Sequence, residues 1–475
     1  MKKIGLFHFV LVFLSVFLVW YIAYPNYMWY LESNSFFAFI PDFADLQFSM
    51  PSDWAAYGGA YLLQFFSSRM GGALIQASFA TIILLSCDSI LFCLFRNKGL
   101  LWLSFIPFAW FISGQFEDAT LARSVWWLAI SVIAALLIFG ITCKRVKKQR
   151  GVKRFYSNVY FGYLLSVLFL GGSLYSLTTK KEYRVLEEST RLDRMAERKN
   201  WDGLLQSISP EDARVDAAKQ RWVLLALSEK GLLTERLFEY GVTDPACFFY
   251  EQKDNPFCRD FNSLFFAALG FHNEVIHHSF QSGIQASRGM NFRTMRTVTD
   301  AWLRMGNKQM AEKYLEILRH TSFHGKWVQS RMRVLESMPQ ENDSVRVQNE
   351  QPFFIGAHPF LSDMARVVDR YPENKKAIDY LLCGLLISKD LNKFNFLIDR
   401  LYKANSTLPK SYKEAVLMLA SQRPEILQRY PVSQQEVQEY QNFMGLLKER
   451  SNLLELKYGN TFWFYYFCTG NTQQS

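Results

Sequence analysis

The residues best suited to chemistry are carboxylates, histidines and cysteines, and they are scattered. Glu32, Asp42, Asp45 and Asp53 lie close together near the N-terminus. Carboxylates so grouped can bind a divalent metal on a phosphate or serve as a general base. His272, His277 and His278 are near neighbours, and His320 and His324 are four apart, a spacing that lets two imidazoles share a helix face. Gly325 directly follows that second pair, Thr321-Ser322-Phe323 between them is a weak helix, and no Glu follows the first His as in the zincin pattern. Surface or helix-end histidines are therefore expected, with no metal and no cofactor. The cysteines include no Cys-x-x-Cys, so redox catalysis and zinc ribbons have no support. A P-loop, a Gly-rich dinucleotide fingerprint and a Gly-x-Ser-x-Gly elbow are all missing.

The elements that must position these groups are of two kinds. Half of the 475 residues are hydrophobic and 16% are aromatic, yet mean hydropathy is near zero. An uneven chain, part membrane and part water-exposed, satisfies both numbers. Residues 1–177 carry a net charge of +6 and the remainder +4. Seven basic residues crowd into Lys144, Arg145, Lys147, Lys148, Arg150, Lys153 and Arg154. Between two apolar segments, such a loop reads as a topology signal facing anionic lipid. The long C-terminal part is nearly charge-balanced, so no nucleic-acid partner is expected.

Crossing the hydrocarbon takes roughly 20 apolar residues. Runs of that kind fall at about 4–24, 71–95, 99–116, 121–142 and 155–177, the third short and interrupted by Pro107. The first lacks a small-residue cleavage site at Tyr21-Ile22-Ala23-Tyr24-Pro25, so it reads as an uncleaved anchor. Segment 52–66 is too short to cross easily and carries Gly58-Gly59, which suggests an interfacial or re-entrant helix. No Lys or Arg occurs from residue 25 to Gln64. Five spans with the N-terminus inside put that stretch outside, and put Arg96-Asn97-Lys98 and the polybasic loop in the cytoplasm. Residues 178–475 are then extracytoplasmic, which for an inner-membrane protein means the periplasm.

Residues 178–338 and 359–475 show apolar positions at helical spacing, divided by a polar, aperiodic stretch at 339–358 that reads as a linker. The expected fold is all-α: a bundle of about five transmembrane helices, then a helical-repeat domain in two halves. Ala301-Trp302-Leu303-Arg304-Met305-Gly306-Asn307-Lys308-Gln309-Met310-Ala311 resembles a tetratricopeptide unit. In that pattern Trp302 is the large aromatic, Gly306 the turn, and Ala311 the small residue buried where two helices cross. Leu381, Leu382 and Leu385 opposite Phe394, Ile398 and Leu401 repeat the periodicity without the small residues.

The layout resembles an uncharacterised family of multi-pass bacterial membrane proteins with a tetratricopeptide-like outer tail. The likeness rests on the aromatic-rich first outer loop, on Tyr61-Leu62-Leu63-Gln64-Phe65-Phe66, on Tyr380-Leu381-Leu382-Cys383-Gly384-Leu385-Leu386, and on Gly459-Asn460-Thr461-Phe462-Trp463-Phe464-Tyr465-Tyr466. It implies a fold and a membrane, and no activity.

Three readings follow. The leading one is a non-enzymatic scaffold whose helical repeats bind a periplasmic protein or peptide, with membrane lipid around its spans. The second is an envelope enzyme acting on a lipid-linked substrate, glycosyltransferase-like, using Asp42, Asp45 and Asp53. The weakest is transport around Asp88, an acid within the second span. A local bridge between Cys247 and Cys258 remains open, since each follows a proline, Pro245 and Pro256, at either end of a short loop in a disulfide-permissive compartment. Cys87, Cys93 and Cys143 in the spans read as small hydrophobes. The aromatic run Phe462–Phe467 reads as a cap on the last helix pair.

Overall fold

A computed structural model describes residues 2–48, 53–96, 98–146, 159–250, 256–285, 291–338 and 359–469, and among them there are helices and no strands. The helices run α1 Lys2–Ala23, α2 Pro25–Ser33, α3 Pro41–Gln47, α4 Trp54–Leu63, α5 Arg69–Phe95, α6 Phe105–Ser113, α7 Ala122–Val146, α8 Val159–Thr179 and α9 Lys181–Glu197. They continue as α10 Trp201–Ser207, α11 Pro210–Val215, α12 Ala217–Glu229, α13 Leu233–Arg236, α14 Pro256–Leu269, α15 His272–Gln285, α16 Phe292–Arg304, α17 Lys308–Arg319 and α18 Gly325–Ser337. The last are α19 Phe360–Arg370, α20 Lys375–Ile387, α21 Leu391–Leu401, α22 Lys410–Ala420, α23 Ile426–Arg429, α24 Gln434–Lys448, α25 Leu453–Tyr458 and α26 Phe462–Cys468. The expected linker 339–358 and most of the polybasic loop lie outside the described residues.

Two compact units emerge, one of residues 1–194 with 283–341, the other of 195–282 with 342–475. This differs from the expected division into 1–177, 178–338 and 359–475. The stretch 283–341 belongs with the apolar N-terminal helices and not with its sequence neighbours.

In the first unit, four helical stretches are long and apolar enough to cross a membrane: Arg69–Phe95, Gly99–Glu117, Ala122–Thr142 and Tyr160–Thr179. They coincide with four of the five expected runs. The fifth corresponds to Phe9–Ala23 joined to Pro25–Ser33 with a 78° bend. The bend has a local cause, because a residue before proline is pushed out of the helical region, and Tyr24 sits at φ −131°, ψ 39°. Pro107 is accommodated in the first turn of α6, where no intrahelical N–H is needed; 3-10 turns at Lys98–Ser104 precede it. The helix at α4 spans ten residues and packs on α7. Their backbones touch at Gly59, where a Cβ would stand 2.2 Å from the Thr120 carbonyl oxygen.

Buried polar groups tie the apolar helices together. Trp20 Nε1 donates to Gln115 Oε1 (3.1 Å), and Gln115 Nε2 donates to Gln76 Oε1 (2.9 Å), linking α1, the turn after α6, and α5. The buried Asp118 carboxylate accepts from the N–H (2.7 Å) and hydroxyl (2.9 Å) of Ser124 at the start of α7, where negative charge favours a helix N-terminus. Asp88 is buried on α5, and among the described residues its Oδ1 has no hydrogen-bond partner.

The second unit is a succession of short helices, several of them opened by a side-chain cap. Asn374 Oδ1 accepts from Ala377 N–H (3.1 Å) and Asp390 Oδ1 from Lys393 N–H (3.0 Å), while Ser433 and Glu436 form a capping box. Consecutive helices α19, α20, α21 and α22 pack each on the next. Rings of Phe248, Phe265 and Tyr380 meet at 4.9–5.0 Å in the core, and a Cβ at Gly384 would strike Leu361 at 2.4 Å. The aromatic tail is folded in. Phe462, Trp463 and Tyr465 are buried, Glu414 accepts from Phe462 N–H (2.7 Å), and the Glu414 carbonyl accepts from Trp463 Nε1 (2.9 Å).

Candidate functional site

The segment after α1 is held by two sets of contacts, both inside the first unit. One comes from α9. Its Glu187 carboxylate accepts from the N–H groups of Asn26 (3.1 Å) and Tyr27 (2.8 Å) and from the Asn26 side-chain amide (2.7 Å), capping α2 from across the fold. Burial pushes the Glu187 carboxyl up, and the three N–H donors oppose that rise. Beside it, the Phe116 ring stacks on Tyr183 at 4.0 Å and on Tyr27 at 4.8 Å, with Trp20 at 5.2 Å. The Tyr183 hydroxyl donates to the Ser113 carbonyl (2.9 Å).

The second set comes from α16, α17 and α18. Phe292 N–H donates to the Ser35 carbonyl (2.9 Å), and Phe39 N–H donates to the His320 carbonyl (3.0 Å). Phe36 and Ala38 are buried in one apolar cluster with Phe292, Ala311, Leu315 and Leu318. His324 Nε2 and Glu32 Oε1 are 2.7 Å apart, both side chains at least nine-tenths buried, with the Phe292 ring 4.2 Å from the imidazole. Gln64 Oε1 accepts from Ser322 N–H (3.3 Å). A buried bidentate ion pair, Arg293 with Asp193, joins α16 to α9.

These contacts decide how the expected acidic cluster is used. Glu32 is occupied by His324 and enclosed. Asp45 is exposed and Asp53 half-buried; the side chain of Asp42 lies outside the described residues. Among the described residues no metal-binding group forms from these acids. The His320/His324 pair does not converge either, since His320 faces Glu316 (3.4 Å) while His324 faces Glu32. The histidine group that does converge is Glu274, His277 and His278 on α15, in the second unit. Glu274 three residues before His277 was the local signal, and it is missed when only histidines are compared.

The remaining expected residues fall as follows. Gly306 turns α16 into α17 at φ +77°, a backbone conformation that suits glycine. Ala311 is fully buried, and Trp302 lies half-buried against the cluster of Phe292 and Leu315. Cys247 and Cys258 are both buried. Burial pushes the Cys247 thiol well up, which leaves it protonated and inert. The side chain of Cys143 lies outside the described residues.

A groove of about 640 Å³ opens between α6 and α8. Leu165, Leu168, Phe169 and Gly172 line its apolar length, and Lys180 and Tyr183 stand with Ser176 among its polar residues. Lys180 donates to the Tyr183 hydroxyl (3.2 Å), and that hydrogen bond raises its pKa.

Comparison with protein families matches residues 1–184 and 171–469 to a family described as Family of unknown function (DUF6057). No curated protein and no solved structure matches the chain.

Proposed function

The chain belongs to that family of unknown function, and from this premise we propose that it is a multi-pass inner-membrane protein whose extracytoplasmic helices bind a protein or peptide partner. The observation that carries the membrane part is a parity relation. The segment after α1 makes hydrogen bonds with α9 and with α16–α18, so both stretches occupy one side of the bilayer. Between residues 33 and 181 the number of crossings must then be even, and the structure has four eligible helices there. Counting α4 as a crossing would break the relation. With basic residues on the loops between spans, the shared side is the outer one.

The binding part rests on what the helices leave over. Glu32 is paired with His324 and enclosed, which takes it out of the expected acidic group. The hairpin α16–α17 with Gly306 at its turn and Ala311 buried is tetratricopeptide-like, and successive pairing in α19–α22 suits a repeat surface. Phe396 (69% exposed) and Leu456 (84% exposed) are large apolar side chains left in water on the second unit. The groove lined by α6 and α8 offers membrane lipid an apolar wall ending near a cation.

Complementation of a deletion strain separates the readings. Phe396→Asp with Leu456→Asp is expected to abolish the phenotype while the protein still inserts, and Asp42→Ala with Asp45→Ala to leave it intact. The reverse pattern would replace the binding reading with the lipid-linked enzyme.

A further inference from the structure

On α15, Glu274, His277 and His278 occupy positions i, i+3 and i+4, which fall on one helix face. Glu274 and His278 are buried, and the His277 side chain is 52% exposed. Glu274 Oε2 lies 3.4 Å from His277 Nδ1 and 4.0 Å from His278 Nε2. One ligand atom from each residue lies within 4.8 Å of the others. A tetrahedral ion with ligands at about 2.1 Å separates neighbouring ligand atoms by about 3.4 Å. The first pair already has that spacing, and closing the second takes a side-chain shift of under roughly 1 Å.

His278 supplies an independent observation. Its ring lies flat on Phe266, with centroids 5.1 Å apart and planes within 8°. Among the described residues its buried Nδ1 has no hydrogen-bond partner, and its Nε2 comes no nearer to Glu274 than 4.0 Å. The ring thus turns Nε2 toward Glu274, held in place by its packing on Phe266.

The geometry points to a zinc-class divalent cation site formed by Glu274, His277 and His278 on one turn of α15, with its fourth position open to solvent beside His277. Two imidazoles and a carboxylate are the donor set of borderline divalent ions, and three protein ligands leave one place for water or another small ligand. Glu274 offsets part of the charge of the ion. The site lies apart in sequence from the acids of the first loop and does not depend on the binding reading.

The test uses the full-length protein in detergent, purified without a histidine tag and stripped with a chelator. Zinc is titrated against a chromophoric competitor, and cobalt(II) is added in parallel to read coordination by absorption. The wild type is expected to bind one equivalent more than His277→Ala, a variant at an exposed position whose melting temperature in the metal-free state should not move. Loss of an outer-shell partner already costs roughly 10–100-fold in affinity, and loss of a direct ligand should cost at least that. His277→Cys, which supplies a thiolate, is expected to restore binding. Equal stoichiometry in wild type and His277→Ala, or a cobalt spectrum without tetrahedral bands, would overturn the assignment.

Discussion

Arg293→Ala tests the attachment of α16 to the N-terminal unit at its most sensitive point. Asp193 is 1% exposed and Arg293 5% exposed, and they meet through two parallel hydrogen bonds. Truncating the arginine leaves a buried carboxylate facing a cavity. Breaking a buried pair this way costs about 3–5 kcal/mol, because the remaining charge has lost its bidentate partner. Replacing both partners with apolar residues, as in Asp193→Leu with Arg293→Met, removes both desolvation penalties and should be neutral or stabilising by about 1–4 kcal/mol. Hydrogen-exchange mass spectrometry over residues 292–304 reads this locally in the intact protein. Protection should fall by roughly two to more than three orders of magnitude in Arg293→Ala and recover in the double variant. Unchanged exchange in the single variant would refute the pair; a double variant as damaged as the single would refute the electrostatic reasoning.

Three further outcomes follow from the same geometry. Burial lifts Glu414 from the ordinary 4.5 to about 7 and Asp379 from 3.8 to about 6. Raised acids add stability below their unfolded values that is lost as pH rises through the folded ones. Exchange protection of α22 and α26 should thus weaken between about pH 4 and 7, by up to ~3 kcal/mol from Glu414, and Glu414→Gln should flatten that dependence. Gly59→Val drives a side chain into the Thr120 carbonyl, so the melting temperature in detergent should drop with a cost of about 1–3 kcal/mol. Glu187→Ala leaves the first N–H groups of α2 uncapped and should cost about 1–2 kcal/mol, read as faster exchange over residues 25–33.

The long apolar helices were legible because each rests on a local quantity, a run near the hydrocarbon thickness. Helix breaks were legible for a similar reason, as Asn307, Asn374 and Asp390 mark their own caps. The partition of residues 178–338 was not legible. It depends on Asp193 meeting Arg293, and Phe36 meeting Phe292, across distances in sequence where no periodicity reports a partner. The aromatic first loop reads equally well as a headgroup anchor, and only the packing of Phe36 and Ala38 beneath α16–α18 distinguishes the two. The candidate metal site was locally encoded in Glu274-Val275-Ile276-His277-His278, since its three donors share one helix face.

The central claim, that the segment after α1 shares one face of a membrane with α9 and α16–α18, is tested most directly by cysteine labelling. In a cysteine-depleted background, Asp45→Cys, Lys326→Cys and Arg96→Cys place single thiols at three exposed positions. With a membrane-impermeant maleimide on intact spheroplasts, the first two are expected to label and the third to label only after lysis. Labelling of Asp45→Cys and Lys326→Cys from opposite sides would contradict the parity relation and the topology built on it.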